Sequence, residues 1–115
     1  MERFVKGDVV VLLFPYADLS NIKNRPALVV ANIPGDDIII SQITTNKREG
    51  YIVKLNENAF EHGKLNKPSF IRPDKLFTVD VSLIKYKAGH LKISKIKEVE
   101  KSFVRFSHTI NFVRE

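Results

Sequence analysis

The stretch Ser69-Phe70-Ile71-Arg72-Pro73-Asp74-Lys75-Leu76-Phe77 is an apolar, strand-like run that contains an arginine and an aspartate two residues apart. Because alternate side chains of a strand share a face, one face is expected to carry Phe70, Arg72, Asp74 and Leu76. An Arg-x-Asp pair is most often an exposed salt bridge, which stabilises a fold little. Pro73, however, lacks a backbone donor and predicts a sheet edge, a strand end or a bulge at this point. Edges and bulges often turn side chains toward ligands.

The rest of the chain consists of short strand-like runs followed by one helix. Apolar or alternating runs between turn residues predict further strands at 9–14, 27–31, 38–43, 51–55 and 85–92. The first is apolar on both faces and is expected at the centre of the sheet, and the second and third should form a hairpin. Polar segments at 16–25 and 56–68 predict loops, the second with one helical turn. Apolar spacings of three and four over 95–112, after a candidate N-cap at Ser94, predict an amphipathic C-terminal helix.

These elements indicate one mainly β domain over residues 1–115, built as a small, mostly antiparallel, strongly curved sheet or partly open barrel with a C-terminal helix. The absence of cysteine excludes disulfides and thiolate chemistry and suits the reducing cytoplasm, where we expect the protein. No apolar run reaches the roughly 20 residues of a membrane span, and the first residues lack the apolar core of a secretion signal. The net charge of +6 favours polyanionic partners.

Several classes of chemistry have no support in the sequence. His62, His90 and His108 stand far apart, with no partner at metal-ligand spacing, so a metal site is not expected. Asp36-Asp37 could bind a hard cation but fits a hairpin turn better. A phosphate-binding glycine loop and a Gly-x-Ser-x-Gly elbow are both missing from the sequence, so we expect neither a nucleotide cofactor nor hydrolase-elbow chemistry.

What remains is a set of polar residues at or near strand ends. The set consists of Arg25, Thr44, Thr45, Arg72 and Asp74. Each has a simple structural explanation, but together they fit the cleavage of RNA without a metal. That reaction needs a group to accept or orient the proton of the 2′-hydroxyl, a cation to hold the pentacoordinate phosphate, and a donor to the departing 5′-oxygen. A carboxylate can meet the first need, guanidinium groups the second, and hydroxyls can orient phosphate oxygens.

Four blocks of sequence connect this set to a known family. The blocks are Lys6-Gly7-Asp8-Val9-Val10 with Phe14-Pro15, Asn24-Arg25-Pro26-Ala27-Leu28-Val29-Val30, Ser41-Gln42-Ile43-Thr44-Thr45-Asn46, and Ile71-Arg72-Pro73-Asp74-Lys75-Leu76-Phe77-Thr78-Val79-Asp80. In this order and spacing they resemble the MazF/PemK family of toxins from toxin-antitoxin modules. The match extends over nearly the whole chain.

The resemblance implies an SH3-like barrel, usually a homodimer, that cuts single-stranded RNA at short sequences without a metal and is inhibited by a cognate antitoxin with an acidic, disordered tail. Carried over, the family's catalytic positions fall on Arg25, Thr45, Arg72 and Asp74. The two arginines would stabilise the phosphorane, one of them protonating the leaving oxygen, with Thr45 positioning the phosphate and Asp74 accepting or orienting the 2′-hydroxyl proton. Lys75 stands where some relatives carry glutamine, which leaves base preference open.

RNA contacts are expected from residues that flank this set in the sequence. These are Tyr16, Lys23, Thr44, Lys47 and Arg48, with Tyr16 stacking on a splayed base. Solvated loop residues are the alternative explanation. Two other functions stay open, namely a non-catalytic toxin on the same fold, similar to the CcdB gyrase poisons, and an inactive nucleic-acid-binding relative. The retained arginines, threonine and aspartate argue against the first of these.

Overall fold

The computed structural model describes residues 3–14, 23–47 and 49–109. Within these residues the chain forms seven strands and one α-helix. They are β1 (Asp8–Phe14), β2 (Lys23–Asn32), β3 (Asp37–Thr44), β4 (Val53–Leu55), β5 (Phe60–Gly63), β6 (Ser69–Asp80), β7 (Ile84–Leu91) and α1 (Ile93–Ser107). Short 3-10 turns at Glu57–Ala59 and Val81–Leu83 precede β5 and β7.

The strands form a single antiparallel sheet that curls into a half-barrel. Its order is β4-β6-β3-β2-β1-β7-β5, so that β4 and β5 are the edge strands. The fold class predicted from the sequence is confirmed. Strand β1 lies inside the sheet between β2 and β7, and β2 pairs with β3 as the expected hairpin.

Both faces of the sheet carry an apolar core, because the strands alternate apolar side chains on the two sides. In β2, Ala27 and Val29 join one cluster and Leu28 joins the other. The cluster that contains Leu28 is covered by α1 through Val99, which is buried, and Phe103. We call the side covered by α1 the helix face and the other side the open face.

The buried carboxylate of Asp8, in the Lys6-Gly7-Asp8 motif, connects β1 to β7 and, through a histidine of β7, to β5. Asp8 is 1% exposed, and its Oδ2 accepts a hydrogen bond of 2.9 Å from the Val5 amide. Its Oδ1 lies 2.8 Å from Nδ1 of His90 and 3.9 Å from the Lys87 ammonium, both on β7. The ring of His90 stacks on that of His62 in β5, with centroids 5.9 Å apart. Residues that are isolated in the sequence are therefore neighbours in the fold.

Several element boundaries differ from those predicted. Strand β2 begins at Lys23, so residues 23–25 belong to the strand and not to the preceding loop, and β4 is limited to Val53–Leu55. Ser94 is not the N-cap of the helix, because α1 begins at Ile93 and Lys92 occupies the cap position without a capping side chain. The described helix ends at Ser107, and the predicted end at 112 lies outside the described residues.

Strand β5 was not predicted, since it lies in a segment interpreted as a loop. Only Phe60 of its four residues is strongly apolar, and its strand state comes from pairing with β7. Two glycines permit the close approach: a Cβ on Gly63 would lie 2.1 Å from the Ala88 carbonyl oxygen, and one on Gly89 would lie 2.5 Å from the carbonyl oxygen of His62. Such backbone proximity leaves no signal in hydrophobic periodicity.

Candidate active site

A bulge in β6 creates the irregular point that the proline predicted. Gln42 of β3 pairs with Arg72 of β6, whereas the adjacent Ser41 pairs with Leu76. Strand β6 therefore has three extra residues, without partners in β3, between these two pairs. The inserted residues are Pro73, Asp74 and Lys75. A proline fits here because the inserted residues need not donate to the ladder.

The bulge also corrects the predicted distribution of side chains. Three extra residues are an odd number, which reverses the alternation of β6 beyond the bulge. Leu76 therefore lies on the face opposite to Arg72 and lines the groove beside α1. Phe77 comes to the open face and packs edge-to-face on Phe14, with centroids 5.4 Å apart. The prediction that Leu76 shares a face with Arg72 was wrong for this reason.

Arg72 and Asp74 form an ion pair across the bulged proline, with 3.1 Å between Nη2 and Oδ2. Their side chains are only 15% and 26% exposed, so the pair lies largely below the surface. Among the described residues, Nε of Arg72 and Oδ1 of Asp74 are buried and have no hydrogen-bond partner. Buried polar atoms of this kind are uncommon, because leaving them unpaired costs free energy. The pair therefore retains one donor and one acceptor that have no partner within the described residues.

A buried hydroxyl fixes the backbone at the bulge. Ser41 is fully buried, and its Oγ donates a hydrogen bond of 2.6 Å to the carbonyl oxygen of Arg72. This bond holds Arg72 at the point where the regular ladder is interrupted. Ser41 was not singled out as a site residue, although it opens the Ser41-Gln42-Ile43-Thr44-Thr45 block. The signal was a polar side chain directly after the apolar run 38–40 of the same strand.

The strand register brings other predicted residues to the same face as Arg72. Residues paired across neighbouring strands point to the same side of a sheet. Gln42 of β3 pairs with Arg72 of β6 on one side and with Ala27 of β2 on the other. Thr44 lies two residues after Gln42 in β3, and Arg25 lies two residues before Ala27 in β2, so both point to the same face as Gln42. Arg25, Gln42, Thr44 and Arg72 are all partly buried. The open face therefore carries two guanidinium groups, an amide and a hydroxyl at one end of β2, β3 and β6.

The remaining predicted residues lie at the margin of this group or outside the described chain. Thr45 is exposed and follows the last residue of β3, where the Asn46 amide donates to Oγ1 of Thr44 over 3.1 Å. Lys23 is exposed at the start of β2 and Lys47 is exposed beyond β3. Tyr16 and Arg48 lie outside the described residues.

The described ranges contain no group of three or more histidine, aspartate or glutamate side chains placed to hold a metal ion. In the same part of the chain, every helix is too short or too polar to cross a membrane.

A family model described as PemK-like, MazF-like toxin of type II toxin-antitoxin system matches residues 5–106. No curated protein sequence matches the chain.

Solved structures with the same fold include three toxins. A mycobacterial endoribonuclease in complex with its cognate antitoxin superposes with a TM-score of 0.75 at 13% identity, covering 95% of this chain and 99% of that one. MazE-MazF from Deinococcus radiodurans gives 0.72 at 16% identity, covering 92% and 97%. The Mycobacterium tuberculosis toxin MazF-mt6 gives 0.70 at 17% identity, covering 91% and 99%. At these identities the likenesses establish the fold alone.

Proposed function

We propose that this chain, which belongs to the PemK-like, MazF-like toxins of type II toxin-antitoxin systems, is a metal-independent endoribonuclease. Its substrate would be single-stranded mRNA, cut at a short target sequence in the cytoplasm. One observation carries the proposal. The Arg72–Asp74 pair is held on a bulge with a buried donor and a buried acceptor left over, on the face that also carries Arg25 and Thr44.

A phosphodiester of RNA matches the groups that this pair leaves available. In the proposed reaction the 2′-oxygen bonds to the adjacent phosphorus and the bond from phosphorus to the 5′-oxygen breaks. Oδ1 of Asp74 accepts the 2′-hydroxyl proton, while Oδ2 stays bonded to Arg72. Nε of Arg72 donates to a phosphoryl oxygen as negative charge develops in the phosphorane.

Arg25 and the threonines complete the proposed mechanism. Arg25 supplies a second guanidinium on the same face, which stabilises the phosphorane and gives a proton to the leaving 5′-oxygen, so that one proton is taken up by Asp74 and one is released to the product. Thr45 positions a phosphoryl oxygen through its hydroxyl, beside Thr44. The aspartate would not act alone as a base, since a carboxylate is a weak one; its proximity to a guanidinium and the 2′-hydroxyl supplies orientation as well.

The surroundings of the pair suit a nucleic-acid strand and a polypeptide inhibitor. Lys23, at the start of β2, and Lys47, beyond the end of β3, are exposed and would contact RNA phosphates, together with Tyr16, Arg48 and Thr44. The net charge of +6 favours an antitoxin with an acidic, disordered tail. We include in the proposal a homodimeric toxin inhibited by such an antitoxin. The mycobacterial endoribonuclease of similar fold forms a complex with its cognate antitoxin, which supports this part.

The experiment is cleavage of a long unstructured RNA by purified protein in the presence of EDTA. We expect cleavage at a recurring short sequence, and a loss of at least about 100-fold in Arg72→Ala and Arg25→Ala, since removing one donor to a developing oxyanion typically costs that much. Arg105→Ala, an exposed arginine on α1, is the matched control and should cleave normally. Cleavage that requires a divalent cation, or that persists unchanged in both site variants, contradicts the proposal. A folded protein that cuts no RNA would favour a non-catalytic toxin.

A further inference from the structure

A cleft of about 460 Å³ lies at the end of the sheet where β4 and β6 pair. Its walls include the segment that follows β4 and the segment that precedes β6, and hydrogen bonds to backbone carbonyls fix both segments. The Ala59 amide donates to the Asn56 carbonyl over 3.0 Å, and Oγ of Ser69 donates to the Lys67 carbonyl over 2.9 Å. The volume is in the range of small-molecule binding sites.

The lining of the cleft combines amide groups, cations and apolar side chains. Three asparagines, Asn56, Asn58 and Asn66, contribute to it, together with Lys64 and Lys67. Each asparagine amide has both a donor and an acceptor, which is the combination that the edges of nucleobases present. Two lysines against one glutamate leave the lining with a positive excess, which suits a phosphate-bearing ligand.

The cleft is continuous with the face that carries Arg72. Phe70 pairs with Thr44 on one side and with Lys54 on the other, so these three side chains point to the same face of the sheet. Because Phe70 is two residues before Arg72 in β6, this is also the face of Arg72. Pro68, which lines the cleft, lies two residues before Phe70 and directly precedes β6. Asn56 is also in extended conformation, two residues after Lys54. Each step of two residues spans about 7 Å, so the cleft begins roughly 13 Å from Arg72 along the strand.

Phe70 lies between the two places and is half-buried on the shared face. An aromatic ring between a phosphate-binding group and a base-sized cleft is an arrangement suited to single-stranded RNA, whose unstacked bases pack on aromatic rings and bond through their edges. Exposed Lys54 beside Phe70 adds a cation to the same path.

We propose that this cleft binds the nucleobase of an unpaired RNA nucleotide that flanks the cleaved bond, with the asparagine amides contacting its edge. This inference rests on the proposed ribonuclease function and adds a specificity-determining site to it. The cleft contributes to recognition of the substrate and not to the chemical step. Its loss should therefore raise KM and leave kcat unchanged.

The test combines a variant with an altered substrate. Asn58→Ala with Asn66→Ala removes two exposed amides of the cleft, and Asn32→Ala, an exposed asparagine at the end of β2, is the matched control. Short RNAs that contain the mapped cut sequence carry an abasic nucleotide at one flanking position at a time. We expect the double variant to raise KM about tenfold, as for the loss of one good base contact. One abasic position should raise the wild-type KM by a similar factor.

The two changes should not add, because both remove the same contact. On the RNA with that abasic position, wild type and double variant should have equal KM values, whereas the control should behave as wild type throughout. An unchanged KM in the double variant, or losses that add at every abasic position, overturns the inference. So does a double variant that loses affinity for the cognate antitoxin while its KM for RNA is unchanged, since the cleft would then belong to a polypeptide.

Binding measurements separate this inference from the proposed activity. A wild type that binds the long unstructured RNA without cutting it contradicts the ribonuclease proposal. The cycle is then measured on Kd with abasic variants of a short single-stranded RNA that the wild type binds, where the same non-additivity supports the cleft and its absence overturns it. A wild type that neither binds nor cuts single-stranded RNA overturns both.

Discussion

Two aspartates of this protein each pair with a basic side chain, yet their surroundings differ. Asp8 is 1% exposed, and both of its oxygens have partners, the Val5 amide on one side and His90 on the other. Asp74 is 26% exposed at its side chain, and only one of its oxygens is bonded, to Arg72. The first carboxylate is completed within the fold. The second is held by the fold with one acceptor unused.

The contrast indicates how to separate structural from functional ion pairs in a small β protein. A buried carboxylate with a hydrogen-bond partner on each oxygen contributes to stability within the fold and offers little to a ligand. A carboxylate on a bulge with a buried unpaired oxygen destabilises the free protein, and this cost is reasonable where a substrate supplies the missing partner. Substitutions at the two positions should therefore affect different measurements.

The largest expected effect is on stability at Asp8. Asp8→Ala leaves His90 and the Val5 amide without their acceptor, and we expect the free energy of unfolding to fall by about 3 kcal/mol. Urea denaturation followed by circular dichroism measures it. Asp36→Ala, an exposed aspartate in the β2–β3 turn, should change stability by less than about 0.5 kcal/mol. A stable Asp8→Ala would mean that the buried carboxylate is structurally unimportant.

The counterpart at Asp74 concerns activity. Asp74→Asn keeps the size of the side chain and removes the proton acceptor, so kcat for RNA cleavage should fall about 100-fold. The free energy of unfolding should change by less than about 1 kcal/mol, because the amide oxygen of asparagine can still accept the hydrogen bond from Arg72. Single-turnover cleavage and urea denaturation of the same preparation check the two values. Equal kcat in variant and wild type would reduce the Arg72–Asp74 pair to an ordinary salt bridge.

Ser41 should affect both measurements, since it supports the backbone under the site. Ser41→Ala removes the hydrogen bond to the Arg72 carbonyl in a fully buried position, at an expected cost of about 1–2 kcal/mol in unfolding free energy. Cleavage should weaken as well, because Arg72 loses part of its support. Ser107→Ala is the control, since its exposed hydroxyl donates to the Val104 carbonyl at the end of α1. Loss of stability with unaltered cleavage would show that the bulge geometry does not depend on Ser41.

The smallest expected effect is the pH response of a third aspartate. The Ser82 amide donates to Asp80 over 2.8 Å, and this bond lowers the pKa of Asp80 below its ordinary value of 3.8. A lowered pKa stabilises the folded state above pH 3.8, and this contribution is lost as pH falls further. Urea denaturation at pH 7 and pH 2.5 should show a slightly smaller acid loss in Asp80→Asn than in wild type. An identical loss in both would exclude this contribution.

Much of the local structure was predictable. The apolar runs of β1, β2, β3, β6 and β7 and the amphipathic pattern of α1 depend on neighbouring residues, so periodicity revealed them. The proline correctly indicated an irregularity in β6. The candidate site was predicted only as a set of polar residues in or beside strands. The register shows that Arg25, Thr44 and Arg72 share a face.

The sequence by itself determined the strand runs, the C-terminal helix, an irregularity at Pro73 and the four blocks that resemble the toxin family, since these are local patterns. The tertiary structure alone decided the strand order, the existence of β5, the pairing of Asp8 with His90, and the placement of Leu76 away from Arg72. Each of these depends on pairing between distant segments or on the number of residues inserted in a bulge. An odd number of inserted residues moves every later side chain of the strand to the opposite face of the sheet. Hydrophobic periodicity in the sequence does not reveal how many residues of a strand lack a partner in the neighbouring strand.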